Sequence, residues 1–109
     1  TWASYTTNDI IGIALNLDDN EIIFYKNGAV QNSGTAVSIT APASTTIGAY
    51  AFAVNETWDD NTRTYSFNFG NPSFTISSGN SDGNGYGNFE YAVPSGYYAL
   101  CTKNLSEFG

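Results

Sequence analysis

A length of 109 residues fits one domain, and with 41% hydrophobic and 16% aromatic residues the chain can bury a core and is not a disordered tail. Only 12% of the residues are charged, with 3 basic against 10 acidic side chains and a net charge of -7, which argues against nucleic acid and an anionic membrane surface as partners. The lack of histidine and the count of 1 cysteine exclude the serine and cysteine triads, an internal disulfide and a thiolate zinc cage, and no apolar stretch approaches the roughly 18 residues of a membrane span.

The first element is a run of period two. Ile11, Ile13, Leu15 and Leu17 alternate with Gly12, Ala14 and Asn16, so this strand has a bulky face turned to a core and a face of small groups. Asp18-Asp19-Asn20 is turn chemistry, because short Asx side chains bond their own backbone. A second strand spans Glu21 to Lys26, with Ile22 and Phe24 on one face and Ile23 and Tyr25 on the other. Asn27-Gly28 follows, the strongest short turn signal in the chain, and leads into a third segment. A weaker strand holds Val37 and Ile39 before Pro42 breaks the run.

Residues 47–54 alternate again, with Tyr50, Phe52 and Val54 on one face and a thin alanine face opposite. After a polar stretch around Trp58, residues 64–69 place Tyr65, Phe67 and Phe69 inward, so 47–54 and 64–69 read as a hairpin with a long tip. Phe74 and Ile76 make a short strand. Residues 77–88, rich in Gly, Asn and Ser, form a loop that reads as a flexible hairpin tip or a surface packed on a neighbouring chain. Phe89, Tyr91 and Val93 alternate once more, Pro94-Ser95-Gly96 turns the chain, and 97–102 is the last strand. Tyr97 and Tyr98 must face opposite sides of it. Residues 103–109 read as a tail or linker after a domain over 1–102.

No segment carries a helical stripe, and about seven or eight short strands at regular spacing point to an all-β antiparallel β-sandwich or jelly roll. Asn, Ser, Thr and Gly make up 47 of the 109 residues. That composition favours turns and strands over helix, keeps the protein soluble through hydroxyls and amides, and suits a virion surface or an extracellular setting.

Residues 9–28, DIIGIALNLDDNEIIFYKNG, resemble the central signature of the SPRY domain, in which an apolar strand leads through an acidic turn to a strand ending in F-Y-K-N-G. IGAY at 47–50 and FNFG at 67–70 follow in the expected order, so the resemblance covers roughly residues 2–74. FEYAVPSGYYALCTKNL at 89–105 resembles an extension found after SPRY-like domains in modular bacteriophage and environmental viral proteins. The resemblance implies a concanavalin-like β-sandwich that binds partners through its loops and is not an enzyme. SPRY domains open with further strands ahead of the matched segment. The resemblance therefore implies a piece of a longer polypeptide, or else strands supplied by another chain, the first being the preferred reading.

Candidate sites are few. Asp18, Asp19 and Glu21 offer carboxylates to a calcium ion, but the long alternating ligand pattern of an EF-hand loop is absent and a solvated hairpin turn is the expectation. Trp58 flanked by Asp59 and Asp60 suits a ligand site, the indole stacking on a sugar face or anchoring a protein contact while the carboxylates accept hydroxyl hydrogen bonds. The competing reading folds Trp58 back to cap the sandwich. Arg63 is placed to pair with Asp59 or Asp60. Glycoside hydrolysis needs two facing carboxylates, and spacing along one loop does not supply them. The glycine-rich 77–88 loop lacks the lysine and following helix of a phosphate cradle. Cys101 reads as a buried free thiol. No metal and no cofactor is expected.

The sequence thus points to a non-catalytic binding module of a viral structural protein, a tail-fibre or virion-surface component. Its loops would contact a host receptor, a glycan or a neighbouring subunit. The alternative is a structural assembly or decoration domain packing on identical copies, and an enzyme fragment acting on polysaccharide stands third. The expected state is a homo-oligomer or part of a longer chain, without membrane insertion.

Overall fold

The apolar alternation of residues 11–26 closes into the central feature of the computed structural model, which describes residues 1–55 and 62–109. Strand β1 (Ile11–Asn16) pairs antiparallel with β2 (Glu21–Lys26), Ile13 opposite Phe24 and Asn16 opposite Glu21. The turn between them is an Asx turn: the Asn16 Oδ1 accepts the N–H groups of Asp18 and Asp19 at 3.0 and 3.1 Å, while its Nδ2 donates to Asp19 at 2.8 Å. The next reversal is Asn27-Gly28, with φ of 48° and 78°, the doubly left-handed backbone of a type I′ turn. It delivers β3 (Ala29–Val30) back onto β2. Strand β4 (Val37–Ser38) pairs with the other end of β2, and the Ile39 N–H extends that contact to the Asn20 carbonyl at 2.8 Å. The sheet is antiparallel, with β2 in the middle.

Opposite residues share a face, so Ile11, Ile13 and Leu15 stand with Lys26, Phe24 and Ile22, and Gly12 and Ala14 with Tyr25 and Ile23. The bulky face was expected to be the buried one. Instead Ile11 and Ile13 are 44% and 45% exposed, and Ala14 on the small-residue face is buried. The cause is partial cover. Tyr50, Ala51 and Phe52 lie over the Leu15–Ile22–Ile39 end of the bulky face and line a partly open pocket of about 100 Å³ with those residues. Trp2 meets Phe24 edge-on at 5.6 Å, but nothing comparable covers Ile11 and Ile13 among the described residues. Tyr97 approaches the other face, where burial first, then the nearby Glu21, Tyr25 and Asp19, raise its phenol pKa.

The second half departs further from expectation. Segments 47–54 and 64–69 do meet through their rings, Phe52 against Phe69 at 5.7 Å and Phe67 stacked on Phe69 at 6.0 Å. They form no ladder among the described residues, and Tyr65, Phe67 and Phe69 are exposed rather than inward. Beyond these segments, side chains bond backbone groups in place of a ladder, as Asn, Ser and carboxylates compete with strand pairing. The Asn68 amide donates to the Asn88 carbonyl at 2.8 Å and its oxygen accepts Gly70 N–H at 2.8 Å. Glu90 accepts Ser77 N–H at 2.7 Å and the Ser78 hydroxyl at 2.8 Å. A single bridge, Asn80 with Phe89, remains of the expected pairing around the 77–88 loop.

Residues 97–101 keep the period of two, with Tyr97 and Cys101 half-buried, Ala99 buried, and Tyr98 and Leu100 exposed. The expected last strand is unpaired among the described residues. The segment read as a tail begins instead with α1 (Thr102–Phe108), a seven-residue helix. Apolar side chains do not hold it, since Leu105 and Phe108 are exposed; its buried residue is Asn104.

Gly28 combines a positive φ with contact, because a Cβ there would lie 2.7 Å from the Tyr91 ring. Gly28→Ala is expected to destabilise the fold by more than the roughly 1–2 kcal/mol of the left-handed backbone alone. Urea denaturation of the variant beside the parent measures this, and equal midpoints would remove Tyr91 from the turn.

Candidate functional site

Of the residues singled out in the sequence, Trp58, Asp59 and Asp60 lie outside the described residues, as does any pairing of Arg63 with the two aspartates; Arg63 itself is exposed. Asp18 and Asp19 are engaged by Asn16 in closing the β1–β2 turn, and Glu21 sits in the ladder opposite Asn16. Among the described residues no three carboxylate or thiol side chains converge as a metal site would require.

The best-built polar cluster lies in the glycine-rich 77–88 loop. Asp82 is buried, 7% exposed, and its carboxylate gathers four donors. Oδ1 accepts the N–H groups of Asn84 and Tyr86, each at 2.9 Å. Oδ2 accepts Ala99 N–H at 2.9 Å and the Asn104 amide at 2.7 Å. The Asn104 amide also donates to the Ala99 carbonyl at 2.8 Å, and its oxygen accepts from Asn84 Nδ2 at 2.9 Å. At the rim, the Tyr86 hydroxyl donates to Glu107 at 2.6 Å, Lys103 pairs with Glu107 at 2.9 Å, and the Lys103 ammonium lies 5.7 Å from the Tyr86 ring centre. The 77–88 loop is therefore pinned to its own chain's C-terminal helix. The signal was present in Asp82-Gly83-Asn84-Gly85-Tyr86: an Asx residue followed by glycines folds its own later amides onto its carboxylate.

Chemically, such a carboxylate is spent. Burial raises the Asp82 pKa, but the hydrogen bonds from Ala99, Tyr86, Asn104 and Asn84 outweigh it and hold the group below its ordinary value. Ringed by N–H donors, it offers no free lone pair to a cation and no proton to a leaving group. Asp9 behaves alike. It is lowered first by the Asn27 amide, then by Thr6 N–H and Lys26, and it ties the N-terminal segment to the β2–β3 turn through Asn27 at 2.7 Å and Lys26 at 3.1 Å. Glu90 is lowered by Ser77 and Ser78, and Glu107 by Tyr86 and Lys103. A general acid needs a raised pKa, and these four shifts run the other way.

The larger candidate is a surface. The chain exposes 8058 Å², against about 5,900 Å² for a compact protein of its mass, an excess of about 2,200 Å². Its Cα radius of gyration of 14.9 Å likewise exceeds the roughly 13 Å of a compact domain this long. Among the described residues Ala14 and Ala99 are the buried apolar side chains, while Trp2, Tyr5, Ile11, Ile13, Leu17 and Ile47 are exposed. β1 also lies at the sheet's border. Asn27 N–H donates to the Ile10 carbonyl and Gln31 N–H to the Phe24 carbonyl, which sets the parity of the ladder. Gly12, Ala14 and Asn16 bond inward to β2, and Ile11, Ile13 and Leu15 turn their N–H and C=O groups outward. This row of outward groups, flanked by exposed isoleucines, is unpaired among the described residues.

Replacing the Asp82 acceptor by a donor tests the polar cluster. Asp82→Asn is expected to lower stability by about 1–3 kcal/mol, the range for stranding buried partners. Because the folded-state pKa lies below the ordinary value of 3.8, the carboxylate's stabilisation is complete above that value and lost as the pH falls through the folded one. Urea denaturation across acid pH reads both effects, the parent weakening below about pH 4 and the variant showing a flatter profile.

Comparison of the chain with protein-family models, curated proteins and solved structures finds no match.

Proposed function

We propose that the chain is a non-catalytic interaction module of a viral structural protein, a SPRY-like two-layer β-sandwich whose apolar surface is covered when the particle assembles. The observation that carries this reading is the excess of about 2,200 Å² of exposed surface, with Ile11 and Ile13 exposed beside a strand edge that is unpaired among the described residues. A surface of this kind recognises protein. Aliphatic side chains such as Ile11, Ile13, Leu17 and Ile47 give a hydroxyl-rich glycan nothing to bond, so a neighbouring subunit suits them better than a sugar. The lowered carboxylates support recognition over hydrolysis, since they hold loops in place. The viral setting is supported by the likeness of residues 9–28 and 89–105 to SPRY-type and phage-extension motifs, and by a polar surface carried by amides and hydroxyls. A host-recognition role would sit in the loop bearing Trp58, Asp59, Asp60 and Arg63.

Mass spectrometry of purified particles from the source culture is expected to find the chain at the abundance of a structural protein. Its presence in the soluble lysate and absence from particles would overturn the reading. On a glycan array the expected result is no Trp58-dependent signal, whereas binding that disappears in Trp58→Ala would transfer the function to host recognition by that loop.

A further inference from the structure

The geometry points to a second copy of this chain as the occupant of the β1 edge, the two β1 strands pairing antiparallel about a two-fold axis at Ile13 to make one continuous sheet. The inference rests on the interaction-module reading and names the partner for the surface described above.

Parity makes the edge self-complementary. With Ile13 opposite Ile13 of the partner subunit, Ile11 falls opposite Leu15 of the partner subunit, and each outward residue meets an outward residue. The outward N–H and C=O groups of Ile11, Ile13 and Leu15 are then all paired. Their side chains lie on one face of the joined sheet, so the exposed isoleucines of each copy cover those of the other.

Charge selects the same arrangement. The chain carries -7 overall, but no charged side chain falls between Ile10 and Leu17. One end of β1 leads into the acidic Asp18-Asp19 turn, and at the other Asp9 is neutralised by Lys26 at 3.1 Å. Antiparallel pairing sets each acidic turn beside the neutralised end of its neighbour, whereas parallel pairing would stack the two acidic turns. The edge carries none of the devices that keep strands apart, neither lysine nor proline nor bulge from Ile11 to Asn16.

Sedimentation equilibrium of the unmodified chain, together with two cysteine variants in a Cys101→Ser background, tests the pairing. The unmodified chain is expected to dimerise at micromolar concentration. Ile13→Cys is expected to oxidise to a covalent dimer, because a directly opposed pair sits about 5.5 Å apart between Cα atoms, within disulfide reach. Ile11→Cys is expected not to, since Ile11 lies about 13 Å along the strands from its own copy. Ile13→Lys is expected to raise the dimer dissociation constant about tenfold or more while leaving the far-ultraviolet circular dichroism unchanged. A chain monomeric throughout, or Ile11→Cys linking as readily as Ile13→Cys, overturns the inference. Particle incorporation is measured separately, so a monomer found in particles refutes the pairing and leaves the interaction-module reading standing. A dimer missing from particles does the reverse.

Discussion

A scarcity of buried apolar side chains governs this molecule. Ala14 and Ala99 are the apolar groups fully removed from water among the described residues, so hydrophobic burial here is partial and spread over many half-covered side chains. The geometry of the turns and loops is set by short polar side chains that hold backbone N–H and C=O groups in place. Asn16 closes the first turn, Asn27 fixes the second and fastens Ile10, Asp9 gathers the N-terminal segment, Glu90 holds Ser77 and Ser78, and Asp82 joins a loop to a helix. Each contact is local or ties one segment to another, and each adds a modest net gain. A scaffold so built specifies loop geometry well and leaves Ile11, Ile13 and Ile47 exposed.

That division explains which parts of the fold were legible in the sequence. The β1–β2 hairpin, its Asx turn, the Asn27-Gly28 reversal and the short strand at Val37 all announce themselves locally, by period two and by residues that tolerate left-handed backbone. Pairing in the second half was not legible. Alternation at 64–69 correctly puts Phe67 and Phe69 on one side, yet it cannot say whether a backbone ladder or a side chain such as that of Asn68 will satisfy the chain. The choice of buried face on β1 was misread for a related reason. Hydrophobicity ranks Ile11 and Ile13 above Gly12 and Ala14, but burial depends on what arrives to cover them, and Tyr50, Ala51 and Phe52 arrive at the Leu15 end only.

Helix α1 shows how a polar anchor escapes pattern analysis. Seven residues are too few to stand as a helix in water, and its apolar residues Leu105 and Phe108 point to the exposed side. Its stability comes from Asn104, whose amide bridges the Asp82 carboxylate and the Ala99 carbonyl. Periodicity follows apolar residues, so a polar anchor such as Asn104 leaves no mark in it. Asp82 was overlooked likewise, because glycines around an aspartate suggest mobility when they in fact permit the amides of Asn84 and Tyr86 to turn onto one carboxylate oxygen.

The polar anchors and the open strand are two sides of one economy. Carboxylates drawn into hydrogen bonds with backbone amides stay ionised near neutral pH, which suits them to holding loops and unsuits them to proton transfer. The outer edge of β1 is a regular row of backbone groups that the chain's described residues do not pair, beside the irregular 64–69 and 97–101 segments. Backbone groups on a strand edge are indifferent to sequence, so an open edge gains selectivity only from the side chains beside it and from charge at its ends. Here those are a run of aliphatic residues with an acidic turn at one end and a neutralised aspartate at the other. A partner bearing the same run in the opposite direction matches all of these at once, whereas a strand carrying acidic residues along its length would be refused by Asp18 and Asp19. Ile11 and Ile13 take no part in the polar anchors, so substitution there leaves the hydrogen bonds of Asp9, Asp82 and Glu90 in place.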